Sequence, residues 1–276
     1  MAKSPKIVMT DLMQKCMIGA VLLFMYAPTF IWMWDRWFAR DSYYSHGILI
    51  PLVSIFLIWQ KRDALKKIKC ESSHWGMKLF FLGIAIHLLS ALFRVYFTSG
   101  FSIIIVLYGL ILHFYGTKMF KEVLFPVSFL FFMIPLPMVV ITNLSFRLKI
   151  FAAQISVHVL NQMHMPCTQH GSVIITRHAY VVVEDVCSGL RSLITLMALG
   201  SLFAYWMKST VIKKTILFLT TIPIAVLTNV MRIVFLAFVS EVWGGKVASG
   251  HLHDISGFIV FTGAFCLLYL AQKMIE

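Results

Sequence analysis

The sequence predicts an all-α polytopic membrane protein with about eight transmembrane helices, one interfacial helix and a small β-hairpin outside the membrane. Hydrophobic residues make up 60% of the 276 residues, against roughly 45–50% in soluble domains, and the mean hydropathy is +0.86. Only 13% of the residues are charged, and 24 Lys and Arg outnumber 11 Asp and Glu. The apolar residues form runs close to the 20 or so residues that a transmembrane helix needs. A soluble fold is excluded, and a single transmembrane domain is predicted over residues 1–276.

The apolar runs define eight predicted spans. They cover residues 16–34, 48–60, 79–95, 101–116, 122–141, 187–206, 214–239 and 254–272. The first span follows a short basic segment, Met1–Thr10, and no small-residue cleavage pattern follows it, so we expect this span to be retained. The second and fourth runs are short for a bilayer, which predicts extended ends or partial re-entry there.

Lys and Arg in the short connections predict the orientation. With the N-terminus inside, 15 of the 24 Lys and Arg lie in inner segments, and the densest group is KRDALKKIK at 61–69. Cationic connections stay on the cytoplasmic side during insertion, so both termini are predicted to be cytoplasmic. The same distribution predicts contact with anionic lipid and no nucleic-acid partner.

The long outer segment from Thr142 to Asp185 is not predicted to span the membrane. Its first part, TNLSFRLKIFAAQISVHVLNQM, places apolar residues at helical spacing with Arg147, Lys149 and Gln154 between them, as in a helix lying in the interface. Its second part, GSVIITRHAYVVVED, contains two β-branched runs around a short turn, which predicts a β-hairpin. The hairpin leads the chain to Cys187.

Polar groups within or at the ends of apolar helices are costly, and they indicate where function lies. Three such segments are predicted at the same membrane face: VEDVCSGLRSL, LTNVMRIVFL and HLHDISGF. They bring Cys187, Arg232 and His253 to similar depth, with Arg232 predicted about two turns before the outer end of its helix. Three residues far apart in the chain are therefore expected to form one site.

Their chemistry suits acyl transfer through a thioester. A thiol at a helix N-terminus beside Arg or protonated His ionises near neutral pH, which makes Cys187 a candidate nucleophile. His253 is a candidate general base and acid, and Arg232 a candidate for stabilising an oxyanion or holding a substrate carboxylate. Ser188 and Gly189 permit close approach of a substrate backbone.

Neighbouring residues have supporting or competing roles. Arg191 follows Cys187 by four residues, on the same helical face, and is expected to bind substrate or to support the site, as is Asn229. Glu184 is expected to orient an Arg or to contact substrate, or to be a solvated loop charge. His251 competes with His253, because residues two apart face different sides of a helix.

Each candidate also has a purely structural interpretation. Cys187 alone resembles a small buried residue. Arg232 is a possible structural charge paired with Glu241. His253 beside Asp254 at a helix start is a possible polar cap. These alternatives remain open at the level of the sequence.

Two other classes of protein compete. A transporter or channel would line a pathway with Arg232 and Asn229. A membrane cytochrome would use His87 and His113 as haem ligands, but the paired axial ligands of a di-haem bundle are missing. The five cysteines contain no C-x-x-C pair, which argues against a disulfide oxidoreductase and a zinc ribbon. No cofactor or metal is predicted.

Taken together, the motifs resemble the exosortase/archaeosortase family of membrane-embedded cysteine proteases or transpeptidases. The resemblance extends from SHGILIP at 45–51 to the last span, and its most specific part is VEDVCSGLR at 183–191. The family pattern matches Cys187, Arg232 within N-x-x-R from Asn229, and His253 within H-x-x-x-G. The histidine is similar to the bacterial form of the family. Asp185 and Val186 depart from the small residues that are commoner before the cysteine.

The resemblance implies an enzyme of the bacterial cytoplasmic membrane with its active site facing outside. Its expected substrates are exported proteins with a C-terminal sorting signal of the PEP-CTERM kind: a short motif such as Pro-Glu-Pro, a transmembrane helix and a basic cluster. Attack by Cys187 would release that helix, and water or an amine would resolve the acyl-enzyme.

Overall fold

The computed structural model describes residues 5–40, 42–183, 188–245 and 251–276, without the side chains of residues 5–12, 251, 253 and 254. The chain divides into two compact units, Met1–Ala39 with Ser45–Pro135, and Arg40–Tyr44 with Leu136–Glu276. The helices of the first unit are α1 (Pro5–Trp37), α2 (Leu49–Gln60), α3 (Arg62–Leu65), α4 (His74–Leu92) and α5 (Tyr96–Phe129). The second unit holds α6 (Met138–Gln162), β1 (Thr168–His170), β2 (Val173–Ile175), β3 (Tyr180–Val182), α7 (Leu190–Trp206), α8 (Val211–Trp243) and α9 (His251–Ile275).

The helices confirm a polytopic all-α membrane protein. Within the described part of the chain, six helical segments are long and apolar enough to cross a membrane. They are Met13–Trp37, His74–Leu92, Tyr96–Met133, Met138–Gln162, Val211–Trp243 and Ile255–Ile275. Two shorter apolar helices, Leu49–Gln60 and Leu190–Trp206, correspond to the second and sixth predicted spans.

The continuous segment α5 is in fact a helical hairpin that folds at Gly116. This residue has φ 82° and ψ −177°, a conformation that glycine adopts without steric cost. Tyr108, eight residues before the fold, donates from its hydroxyl to the carbonyl oxygen of Leu124 at 3.1 Å. Its ring also packs against Phe120, with centroids 5.1 Å apart. The two arms, 96–115 and 117–129, therefore correspond to the predicted fourth and fifth spans.

Within the first unit, α1 is hydrogen-bonded to α5. The hydroxyl oxygens of Tyr26 and Ser102 are 2.7 Å apart, and those of Thr29 and Ser99 are 2.6 Å apart. His87 of α4 joins this group through its Nδ1, 2.9 Å from Ser99 Oγ. These side chains are buried. The bond to Ser99 and the ring contact with Tyr26, at 3.9 Å between centroids, account for a histidine inside a span.

The fifth predicted span ends earlier than the sequence suggests. A 3₁₀ turn at Leu130–Met133 follows α5, and the prolines of IPLP at 134–137 precede α6. Proline lacks the backbone N–H that a helix interior needs, so the chain breaks here. The predicted interfacial helix is present as α6, and its 25 residues are long enough and apolar enough to cross the membrane. The number of crossings therefore depends on α6.

A small antiparallel sheet follows α6 in the second unit. Its strand order is β1-β2-β3, so the predicted hairpin is confirmed as β2 and β3, and β1 is added to it. Ile174 on β2 is fully buried in a cluster with Leu160 of α6 and Ile233 and Ala237 of α8. Through this cluster the sheet packs against both helices. Strand β3 ends at Val182, five residues before the predicted nucleophile Cys187.

Helices α7, α8 and α9 pack together through alanine, leucine and methionine side chains. Their shared core contains Leu196 and Ala204 of α7, Leu217 and Ala225 of α8, and Ala264 of α9. The three helices that carry the predicted site motifs are thus direct neighbours.

Candidate active site

The buried polar face of α8 forms the centre of the site. Asn229 is 5% exposed and Arg232 is 8% exposed, one turn apart on the helix. Arg232 lies eleven residues before the helix end at Trp243, about 17 Å along the axis. The sequence predicts it two turns from the helix end. The difference arises because α8 extends past residue 239 to Trp243, and Glu241 in this extension bonds to the turn before β3.

Helix α9 approaches α8 at this arginine. Arg232 Nε donates to Ser256 Oγ at 3.2 Å, and Ser256 is itself 4% exposed. A Cβ placed on Gly257 would lie 3.3 Å from Arg232 Nη2. A small hydroxyl and a glycine therefore leave room for the guanidinium between the two helices. His253 lies one turn earlier on the backbone of α9, and its side chain is outside the described residues.

The start of α7 meets α8 at Asn229. Gly189 is the N-cap of α7 with φ 77°, and a Cβ on it would lie 2.9 Å from Asn229 Cγ. Ser188 is buried, and its Oγ accepts a hydrogen bond from Leu190 N at 3.3 Å. The helix thus begins three residues after Cys187 instead of at it. The left-handed glycine turns the chain into the helix within van der Waals reach of α8.

Arg191 lies in the first turn of α7, and its Nε is buried with no hydrogen-bond partner among the described residues. The helix α7 begins at Leu190, and the expectation that Arg191 shares a helical face with Cys187 falls on a residue outside the described part of the chain. Within α7, Arg191 lies about 200° around the helix from Leu193. It therefore lies on a different side of α7 from the face that Leu193 presents.

A narrow apolar cleft adjoins the start of α7. It is formed by three elements of the second unit, and the space between them is about 260 Å³ when the open solvent at its mouth is counted. Its walls are formed by Leu148, Phe151, Ala152, Ser188, Gly189, Leu193, Ala225, Val226 and Asn229. The sequence assigned no role to the α6 residues of this wall. Their only signal is the helical spacing of Leu148, Phe151 and Ala152, which core packing explains equally well.

The C-terminal end of α8 is hydrogen-bonded to the turn before β3. Glu241 Oε1 lies 2.7 Å from His178 Nδ1, and Glu241 Oε2 accepts a hydrogen bond from His178 N at 3.1 Å. The structural alternative that pairs Arg232 with Glu241 is therefore wrong, because Glu241 pairs with the turn before β3. The carboxylate positions the sheet, and Arg232 faces α9.

Four of the predicted residues are not placed by the structure. Cys187 and Glu184 lie outside the described residues, as do the side chains of His251 and His253. Ser188, Gly189, Asn229 and Arg232 are brought together, and Ser256 and Gly257 join them. Ser256 was missed by the sequence argument, although it follows His253 by three residues, almost one helical turn.

The described residues were compared with the needs of a metal site, and their four cysteines with the needs of a nucleophile. Within the described ranges, no group of three His, Cys, Asp or Glu side chains is arranged to hold a metal ion. Cys167 is buried, and burial raises the pKa of its thiol, which makes this thiol a poor nucleophile near neutral pH. Cys16, Cys70 and Cys266 are exposed and lie outside the site.

The fold and site define a multi-pass integral membrane protein whose polar residues converge where three helices meet. The family model described as transmembrane exosortase (Exosortase_EpsH) matches residues 34–270. The chain therefore belongs to the transmembrane exosortase family. No curated protein and no solved structure matches it.

Proposed function

We propose that this exosortase-family protein is a membrane-embedded cysteine protease or transpeptidase. It cleaves C-terminal sorting signals of the PEP-CTERM kind from exported proteins through a thioester on Cys187. The observation that carries the proposal is the convergence around Arg232. Ser188 and Gly189, Asn229 with Arg232, and Ser256 with Gly257 come from three separate motifs and meet in one buried place. Cys187 is joined covalently to the first of these residues.

The Cys187 thiolate attacks the carbonyl carbon of the scissile peptide bond, and the carbonyl oxygen gains the negative charge. Arg232 stabilises that oxyanion with its fixed charge and its planar donors. The tetrahedral intermediate collapses to a thioester and expels the amine, which takes its proton from His253. Water or an incoming amine then attacks the thioester, loses a proton to His253 and regenerates the thiolate.

The remaining residues support these steps. Asn229 and Gly189 position the chain that follows the nucleophile, because their contact leaves no space for a Cβ. Ser188 stabilises the same turn through its bond to the α7 backbone. Arg191 and Glu184 contact the substrate or orient charged groups of the site. No cofactor takes part in the proposed reaction.

The proposed location is the bacterial cytoplasmic membrane, with the site on the outer side and both termini in the cytoplasm. This location is supported by the concentration of Lys and Arg in the connections predicted to be cytoplasmic, above all at 61–69. In this arrangement α6 lies in the interface and does not cross. The basic cluster of a substrate would remain inside, which leaves its motif outside near Cys187.

The experiment is co-expression with a reporter that carries the motif, an apolar helix and an Arg cluster at its C-terminus. We expect Cys187→Ala to fold and insert normally and to abolish processing. Cys266→Ala is the matched control, because Cys266 is exposed on α9, and it should process the reporter at the wild-type rate. Processing by the Cys187→Ala protein would exclude Cys187 as the nucleophile.

Mass spectrometry of the mature C-terminus distinguishes the two reactions. A free carboxylate identifies hydrolysis, since water resolved the thioester. An adduct on the carboxyl group identifies transpeptidation, and its mass gives the amine.

A further inference from the structure

The cleft beside Ser188 and Gly189 differs in chemistry from the site around Arg232. Every side chain along its wall is uncharged, and most are aliphatic or aromatic. Leu148 and Val226 are half-buried and Phe151 is 50% exposed, so the cleft has an open apolar mouth. Its polar wall residues are Ser188 and Asn229, which lie at the candidate site. The cleft is therefore an apolar continuation of that site.

Polarity falls along α8 in one direction. Arg232 and its partner Ser256 lie at one level, Asn229 lies one turn before them, and Ala225 lies one turn further into the cleft. From Arg232 to Ala225 the distance along the axis is about 10 Å. Residue 187 is joined to Ser188, and neighbouring Cα atoms are about 3.8 Å apart. A peptide that reacts at residue 187 is therefore within a few ångströms of Ser188 on the cleft wall.

A sorting signal has the same order of chemistry. A polar motif comes first, and an apolar membrane segment follows the bond to be cut. We propose, on the basis of the proposed function, that the cleft binds the first apolar residues of that membrane segment, on the leaving side of the scissile bond. Leu148, Phe151 and Val226 then determine which side chains fit.

The cleft favours apolar side chains over charged groups. A carboxylate or ammonium group would lose its hydration in this cleft without gaining an oppositely charged partner on the described wall. An apolar side chain loses nothing of that kind, and its exclusion of lipid or water is favourable. In an apolar pocket one methylene more or less changes the preference for a substrate by about tenfold or more. Enlarging the cleft should therefore shift preference toward bulkier residues.

The first test requires no substrate. The purified full-length protein is treated with N-methylmaleimide or N-benzylmaleimide, and labelling of the Cys187 peptide is followed by mass spectrometry. Leu148→Ala should raise the ratio of the benzyl rate to the methyl rate by about tenfold. Leu144→Ala is the matched control, one turn away on α6 and absent from the cleft wall. It should leave the ratio within about twofold of wild type.

The second test uses two reporters that differ only in the first apolar residues after the motif, Ala in one and Phe in the other. Leu148→Ala should shift the ratio of Phe to Ala processing upward by about tenfold. Val226→Leu should shift it downward, whereas Val234→Leu, on the same helix outside the cleft, should not change it.

The two tests separate this inference from the proposed function. If the wild type cleaves neither reporter, the proposed function fails. The ratio of the two maleimide rates then shows by itself whether the cleft accepts apolar groups next to Cys187. If both reporters are cleaved but no cleft variant changes either ratio more than its control does, the cleft assignment is overturned while the protease remains. Shifts in both ratios confined to the cleft variants support the assignment.

Discussion

Replacing Gly257 by Ala tests whether the close approach of α9 positions Arg232. The added Cβ would lie 3.3 Å from Arg232 Nη2 and 3.5 Å from its Cζ. Ordinary contacts of this kind are a few tenths of an ångström longer, so the guanidinium must move by about 0.3 Å. A displacement of 1 Å in a catalytic group costs about 100-fold in rate, so on a logarithmic scale 0.3 Å costs about fourfold.

The same substitution should not weaken the helix. Ala is favoured over Gly in a helix interior by about 1 kcal/mol. We therefore expect Gly257→Ala to keep or raise the thermal midpoint of the purified protein while it lowers reporter processing about fourfold. Gly263→Ala is the control on the same helix, because a Cβ there meets nothing within 4 Å. It should have a similar effect on stability and none on processing.

A double variant identifies Arg232 as the residue through which Gly257 acts. In an Arg232→Lys background the planar group that meets the new Cβ is gone, so Gly257→Ala should cost little further activity. The assay is the initial rate of reporter cleavage by full-length protein in detergent micelles at matched protein concentration. Equal losses from Gly257→Ala in both backgrounds, or a fourfold loss from Gly263→Ala, would refute this positioning role.

Three further predictions concern other parts of the chain. Gly189→Ala should lower the free energy of unfolding by about 1–2 kcal/mol, because alanine at a positive φ is strained. It should also abolish processing, because the new Cβ would lie 2.9 Å from the side chain of Asn229 on α8. Gly171→Ala is the control, with φ 62° and no close neighbour, and it should lower stability alone. Burial lowers the pKa of His46 from 6.5 to about 4, so the unfolded chain binds a proton that the folded chain does not. Stability should then fall as the pH drops below 6.5, by about 2 kcal/mol at pH 5, and His46→Asn should flatten the thermal midpoint against pH; an unchanged slope would contradict this. Reporters fused after Lys69 and Lys213 should both report cytoplasm, and an external signal after Lys213 would show that α6 crosses the membrane.

The sequence alone was sufficient for the fold class, since long apolar runs leave a chain no alternative to membrane helices. It also located the hairpin of β2 and β3, because β-branched runs around a turn are a local signal. The site motifs were recognisable for a similar reason. A buried Arg such as Arg232 is costly inside a span, so its presence marks function wherever the helix lies.

Helix ends and partners were decided by the tertiary structure. The sequence placed Arg232 two turns from the end of its helix, but α8 extends to Trp243, and Glu241 in its last turns bonds to the turn before β3. The start of α7 moved to Leu190 because Gly189 adopts a left-handed conformation against Asn229. Neither effect has a local signal, since each depends on contact between segments distant in the chain.

The pairing of charged and polar groups shows the same division. The sequence offered Glu241 as a partner for Arg232, and the structure gives Glu241 to His178 and Arg232 to Ser256. The sequence shows which charged groups are present but not which of them pair. Hydrogen bonds act over about 3 Å, so the partners depend on how the helices finally pack. The cleft beside the site has the same origin: its walls come from three helices, and none of them alone encloses a volume.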